Sequence, residues 1–143
     1  MVVLDGPGTE HEGFRLWYLT GAVFVVRMHV ATVTEDVVAS MVCEIDRLRE
    51  IHADEIQACG GSRSIHDWRS VQRFPGEARQ RLSKEWEKLG RSDVRSIEVA
   101  LSPNPVMHGL ARVMSLVIMR RAGTPVRIVE DIREILVEDD VVG

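Results

Sequence analysis

The sequence contains few aromatic residues and few cysteines. Phe, Trp and Tyr together make up 5% of the 143 residues, and cysteine occurs at Cys43 and Cys59. Two cysteines can form at most one disulfide, and their spacing matches no zinc or redox motif. A chain of this size can also bury a core without cross-links. We therefore predict reduced, buried thiols in a cytoplasmic protein rather than a disulfide-rich secreted domain.

Long hydrophobic runs are absent as well. The most apolar stretch, residues 106–119, is interrupted by His108 and Arg112. It is shorter than the roughly 20 residues that a membrane-spanning helix requires. Residues 1–7 have neither the basic start nor the apolar centre of a signal peptide. These absences predict a soluble protein without membrane insertion.

Charge of one sign does not dominate the chain. The formal net charge is −4, and the isoelectric point expected from the sequence is about 5.7. A nucleic-acid-binding domain usually carries a clustered basic surface. We therefore expect no nucleic-acid partner.

Motifs for metals and cofactors are missing. The five histidines are scattered, and no two of them have the i,i+4 spacing that pairs ligands on a helix. Gly60-Gly61-Ser62 lacks the lysine of a P-loop and the spaced glycines of dinucleotide sites. We therefore expect no metal and no cofactor.

The chain does contain an alternation of short apolar runs with helical stripes. Phe14–Leu19 and residues 22–30 flank Thr20-Gly21, which predicts a β-hairpin. The spacing of the apolar residues then predicts helix 34–52, strand 55–59, helix 75–90, strand 94–101, helix 104–121, strand 126–129 and a short closing helix over 132–136.

The ends of these helices carry recognisable capping residues. Thr34 precedes two acidic residues and suits the start of the first helix. Asn104, followed by Pro105, suits the start of the third long helix. Gly90 and Gly123 are predicted to end the second and third long helices.

This order of elements predicts one α/β domain. A hairpin followed by alternating helices and strands gives a mixed sheet of four to five strands with about four helices. We place the domain at residues 13–140. Residues 1–12 are rich in glycine, proline and acidic residues, and we interpret them as a flexible N-terminal arm.

Residues 60–74 have no clear period and are predicted to form a long loop, which is often a functional feature. His66 and Asp67 resemble an acid–base pair, but neighbouring residues rarely reach that geometry, and no nucleophile motif accompanies them. Trp68 and Phe74 are either core residues or exposed anchors. Three arginines of the segment could bind a carboxylate or a phosphate, namely Arg63, Arg69 and Arg73.

The turn at residues 102–105 is the second expected contact region, because the loops after parallel strands carry the sites of open α/β sheets. The candidate partner- or ligand-binding residues are Arg63, His66, Asp67, Trp68, Arg69, Arg73, Ser102 and Asn104. The helix over residues 106–121 is apolar on most of its surface. It is therefore either buried in the domain or shared with a partner or a second copy.

Several segments of this chain resemble STAS domains, the fold of anti-sigma-factor antagonists and sulfate-transporter tails. The resemblance rests on the hairpin strand Ala22-Val23-Phe24-Val25-Val26-Arg27, the helix that begins at Thr34, and Glu77-Ala78-Arg79-Gln80-Arg81-Leu82. It is especially similar to bacterial STAS-like proteins with a His-Asp-Trp after the third strand, here residues 66–68. The resemblance spans about residues 14–138.

This resemblance implies a docking domain whose partners are regulatory kinases, anti-sigma factors or other signalling proteins. In the classical family, a partner kinase phosphorylates a serine in an Asp-Ser-Ser-Gly motif at a helix start. That helix start here reads Arg73-Phe74-Pro75-Gly76, so the phosphorylated serine has no counterpart.

Three functions remain open. The first, which we favour, is a non-catalytic regulatory module that binds another protein or forms a homodimer. The second is a sensor of a small ligand such as a nucleotide or a lipid. An apolar pocket lined by Trp68, Phe74 and methionines of the third long helix would favour it. The third is an enzyme that uses His66. A fold alone is a weak argument for any of them.

Overall fold

The computed structural model describes residues 1–89 and 93–137. Within these ranges the strands are β1 (Val2–Val3), β2 (Thr9–His11), β3 (Phe14–Leu19), β4 (Val23–Met28), β5 (Ser62–Trp68), β6 (Val94–Leu101), β7 (Val126–Val129) and β8 (Leu136–Val137). The helices are α1 (Glu35–Ile51), α2 (Ala53–Ala58), α3 (Gly76–Glu87) and α4 (Pro105–Ala122), with a 3₁₀ turn at Ile132–Glu134.

Six strands form one mixed sheet in the order β2-β3-β4-β5-β6-β7. The pairs β2–β3 and β3–β4 are antiparallel, and the remaining neighbours from β4 to β7 are parallel. The predicted α/β class with an opening hairpin is confirmed. Strands β3 to β7 supply five strands, and the short β2 adds a sixth at the edge.

All the crossover helices lie on one face of the sheet. Each connection between parallel strands moves one place in the same direction, and right-handed crossovers then put the helices on a common side. The main core lies between this face and α1, α3 and α4. Its buried members include Phe14, Leu16, Phe24, Val26, Met28, Val38, Met41, Leu82 and Met107.

The two ends of the described chain cover the opposite face of the sheet. β1 pairs in parallel with β8. Leu4 is buried there, and the Nε1 of Trp17 donates a hydrogen bond to the carbonyl of Gly6 at 3.0 Å. The structure therefore differs from the flexible arm predicted for residues 1–12. The second face of the sheet is also apolar, and Val2 and Leu4 pack against it.

The polar segment after α2 is the main correction to the secondary-structure prediction. Residues 62–68 form β5 between β4 and β6 instead of a loop. Residues 55–58, predicted to belong to a strand, lie in α2, whose first turn carries Asp54 and Glu55. Most side chains of β5 are polar, and Arg63 and Asp67 pair with charged residues of the neighbouring strands. Such distant partners allow a polar segment to form a central strand.

The predicted caps of α1 and α4 fit the structure, whereas α3 ends at Glu87, before the predicted Gly90. The Oγ1 of Thr34 accepts a hydrogen bond from the backbone N–H of Val37 at 3.3 Å, and Asn104 caps α4. Gly123 ends α4 with a φ of 68°. The closing helix over 132–136 is only a 3₁₀ turn that leads into β8. Gly90 and residues 138–140 of the expected domain lie outside the described residues.

Both cysteines lie on the surface. Cys43, on α1, and Cys59, after α2, are exposed rather than buried as predicted. The helices that carry them pack against the sheet through other residues, such as Met41 and Ile56.

Candidate functional site

The candidate residues of β5 lie on two different faces of the sheet, because successive side chains of a strand point to opposite sides. His66 and Trp68 face the helices, where Trp68 packs edge-on against Phe74. Arg63 and Asp67 face the other side. The segment therefore does not present His66, Asp67 and Trp68 as one exposed surface, and all three are buried.

Asp67 is held by two arginines at the carboxyl end of β5. The Nε of Arg27 donates to its Oδ2 at 2.9 Å, and the Nε of Arg69 donates to its Oδ1 at 2.8 Å. Burial raises the pKa of Asp67, but the hydrogen bonds from Arg69 and Arg27 outweigh it and hold the pKa below its usual value. Asp67 is thus an ionised structural anchor and does not contact His66 as an orienting carboxylate.

His66 lies between the sheet and the helices. Its side chain is 2% exposed, and its ring is tilted against that of Trp86 on α3, with the centroids 5.6 Å apart. Burial lowers the pKa of His66 to about 4, so the ring is neutral near pH 7. Its Nε2 has no hydrogen-bond partner among the described residues. An unsatisfied buried polar atom costs about 1–3 kcal/mol.

The three arginines proposed to bind an anion are not brought together. Arg63, near the start of β5, binds Glu98 of β6, with Nη2 donating to Oε2 at 3.0 Å. Arg69 follows the other end of the strand, roughly 20 Å away at 3.3 Å per residue. Arg69 is engaged with Asp67, and Arg73 forms an isolated parallel bridge with Thr32. The separation and the carboxylate partners of two of them argue against a shared anion site.

Ser102 and Asn104 join the turn before α4 to the segment after β5. The side chain of Asn104 accepts hydrogen bonds from the first turn of α4, and its Nδ2 donates to the carbonyl of Gln72 at 3.4 Å. Ser102 Oγ lies 3.5 Å from the carbonyl of Val71. These two candidates therefore hold the turn in place beside residues 71 and 72.

Two neighbouring cavities lie on the helix side of β5 and β6. The larger has a volume of about 130 Å³ and lies among α1, α3 and the end of α4. The smaller has a volume of about 60 Å³ and lies under α3 and α4. His66, Trp86 and Ile118 belong to the walls of both cavities.

The smaller cavity has the lining that the ligand-sensor hypothesis requires. Its walls include Trp68, Phe74, Met107 and Met114. The sequence had placed the first two in a loop and the methionines on the third long helix. Trp86 closes the same space from α3, and no motif of the sequence marks it as a site residue. Its contact with His66 depends on packing between elements that no local pattern reveals.

The outward face of α4 is the most apolar exposed surface of a described helix. Four large apolar side chains on it are 46–68% exposed, namely Val106, Val113, Leu116 and Met119. The inward face contributes Met107 and Ile118 to the core. One side of the third long helix is therefore buried in the domain, and the other side is exposed.

Two further searches of the described residues gave no site. None of their helices has the length and apolarity to cross a bilayer. No cluster of three or more His, Cys, Asp or Glu side chains in this part of the chain could hold a metal ion.

The comparisons with known proteins identify no relative. No family model, no curated protein and no solved structure matches the chain.

Proposed function

We propose that this chain is a non-catalytic regulatory domain that acts by binding another protein, and that the outward face of α4 is its docking surface. The observation that carries the proposal is the row of exposed side chains Val106, Val113, Leu116 and Met119. A contiguous exposed apolar patch on a small domain is a common mark of an interaction site. This surface replaces the loop that the sequence had suggested.

The charges on α4 define the chemistry of the partner. The helix contains Arg112, Arg120 and Arg121 and no acidic residue. Arg121 binds Glu87 of α3, whereas Arg112 and Arg120 are exposed on the outward side. A partner that presents both apolar side chains and carboxylates is complementary to this face. A second copy of α4 would bring no carboxylate to these arginines, so we propose a different protein rather than a homodimer through α4.

The surroundings of His66 support a non-catalytic role. A ring with a pKa of about 4 is a weak base near neutral pH. The neighbouring carboxylate, Asp67, faces the opposite side of the sheet and is engaged by arginines. An enzyme based on His66 would need an orienting group or a nucleophile within hydrogen-bonding distance, and no described side chain supplies either.

The STAS-like relationship remains part of this proposal. An opening hairpin, parallel strands and helices on one face support it. The expected partners are then signalling proteins such as a kinase or an anti-sigma factor. The exposed thiols of Cys43 and Cys59, which form no disulfide, support a cytoplasmic location.

A small-ligand function is the second candidate, and the cavity lined by Trp68, Phe74, Met107 and Met114 favours it. The cavity volumes fall below the roughly 300 Å³ of typical ligand pockets. They therefore favour a ligand smaller than a nucleotide. Such binding is compatible with docking on α4, because cavity and docking surface lie on opposite sides of that helix.

Affinity capture with matched variants tests the docking proposal. The experiment compares three chains on the same lysate: the wild type, Leu116→Glu on α4 and Ile51→Glu at the end of α1. Ile51→Glu is the matched control, because both side chains are about 60% exposed. We expect a protein retained by the wild type and Ile51→Glu to be lost with Leu116→Glu, and its retention to weaken with salt. Equal retention by all three chains, independent of salt, would refute docking on α4.

A further inference from the structure

The larger helix-side cavity combines a largely apolar wall with two buried nitrogens that have no hydrogen-bond partner among the described residues, Nε2 of His66 and Nε of Arg49. Most of its lining is apolar, with Met41, Val42 and Ile45 from α1 and Val94 and Ile97 from β6. His66 reaches into it from β5 with an Nε2 that has no partner among the described residues. An apolar space of this size without polar groups would need no explanation, but a buried nitrogen with no partner does.

The cavity wall carries two cations and two carboxylates. The Nη1 of Arg49 donates to the carbonyl of Asp93 at 3.0 Å, and its guanidinium lies 5.3 Å from the ring centroid of Phe24. Lys88 and Glu85 form an ion pair at 3.4 Å, and Asp46 is the second carboxylate. These four charges sum to zero, so the wall has no excess positive charge to attract a phosphate or a carboxylate, which argues against a nucleotide or a fatty acid.

The volume restricts the ligand further. Apolar protein cavities of about 150 Å³ accept a molecule such as benzene, and this one has about 130 Å³. A second space of about 60 Å³ lies beside it, with His66, Trp86 and Ile118 in the walls of both. A single six-membered ring fits the larger space, and a short substituent could extend into the smaller one.

From this geometry we infer that the cavity is a binding site for a small uncharged ring compound with one hydroxyl group, and that the Nε2 of His66 is its hydrogen-bond partner. A hydroxyl can donate or accept, so it satisfies either tautomer of the ring. Trp86 and the aliphatic wall supply the apolar contacts. The site goes beyond the docking function proposed for α4, and its binding is measurable on the isolated chain.

Phenol and toluene make a matched pair of probes, because a hydroxyl in one replaces a methyl in the other. The ¹⁵N-labelled chain is titrated with each, and the backbone amides of Ser64 and His66 and the indole N–H of Trp86 are followed by NMR. We expect phenol to bind the wild type about three- to tenfold more tightly than toluene, the usual effect of one hydrogen bond. Benzoate, which is charged, should shift none of these signals.

Three variants test the role of His66. In His66→Phe the preference for phenol over toluene should disappear, while toluene still binds. In His66→Gln, which keeps a polar side chain, part of the preference should remain. His11→Phe is the matched control, because its Nε2 is also buried without a described partner but lies outside both cavities. Equal affinity of the wild type for phenol and toluene, or a preference that persists in His66→Phe, would overturn the inference. Larger shifts of these signals with benzoate than with phenol would also overturn it.

Discussion

Arg27 and Asp67 lie opposite each other on the parallel strands β4 and β5, and the Nε of Arg27 donates to Oδ2 of Asp67 at 2.9 Å. Arg69 binds the same carboxylate from the end of β5. Asp67 is 3% exposed, whereas its arginine partners reach solvent. This cluster fixes the end of the central strand pair on the face opposite His66.

Replacing Asp67 by Asn should lower the free energy of unfolding by about 2 kcal/mol, because the charge-assisted hydrogen bonds from Arg27 and Arg69 lose their anionic acceptor. Urea unfolding at pH 7 measures this loss of unfolding free energy. Glu134→Gln is the control, since its pair with Arg127 is exposed and should contribute less than about 0.5 kcal/mol. Equal losses in the two variants would contradict the assigned role of Asp67.

The stability of the chain should fall as the pH is lowered from 6.5 towards 4. His66 has a pKa of about 4 when folded and about 6.5 when unfolded, so the unfolded chain binds more protons in this window. The loss should be on the order of 3 kcal/mol and should level off below pH 4 for this group. The measurement is urea unfolding at several pH values.

The variant His66→Phe should remove most of this pH dependence, and His29→Gln, on the exposed His29, should retain it. The depressed pKa of Asp67 acts in a separate window, because that carboxylate loses its stabilising charge only below its ordinary value of 3.8. A wild type with constant stability between pH 6.5 and pH 4 would show that His66 is hydrated or paired in solution.

The first residues of the chain should contribute to stability. Leu4→Ala should lower the free energy of unfolding by about 2–3 kcal/mol, because Leu4 is buried against the second face of the sheet. Val3→Ala, one residue away and 53% exposed, should change it by less than about 0.5 kcal/mol. A flexible arm would instead make the two variants indistinguishable in thermal or urea unfolding.

The two faces of α4 should respond differently to the same substitution. Leu116→Gln on the outward face should change the free energy of unfolding by less than about 0.5 kcal/mol. Ile118→Gln on the inward face should cost about 2–4 kcal/mol, because it buries a polar amide among apolar side chains. Circular dichroism during urea unfolding measures both variants. Comparable losses of unfolding free energy would show that the outward face is covered within the monomer.

Local sequence signals predicted the three long helices α1, α3 and α4, but not the short α2. Thr34, Asn104 and Gly123 are caps whose effect depends on neighbours three or four residues away, so the sequence alone reveals them. The strands of the hairpin are similarly marked by continuous apolar residues. These local features were sufficient to predict the α/β class and the order of most elements.

The central strand β5 could not be predicted in the same way. Arg63 is balanced by Glu98, 35 residues further along the chain, and Asp67 by Arg27, 40 residues before it. Without these partners a polar segment is typical of a loop. The second face of the sheet is partly covered because β1 pairs with β8, which lies more than 130 residues further along the chain. No local pattern encodes this pairing. The proposed docking surface accordingly lies on α4 rather than on the loop expected from the sequence.

The most direct test of the proposed docking on α4 is the dissociation constant of a purified partner for three chains: the wild type, Leu116→Glu and Ile51→Glu. We predict at least tenfold weaker binding for Leu116→Glu and no change for Ile51→Glu. Binding of the wild type should weaken at high salt, because Arg112 and Arg120 meet acidic groups of the partner. The same affinity for all three chains would contradict the assignment of α4 as the binding surface.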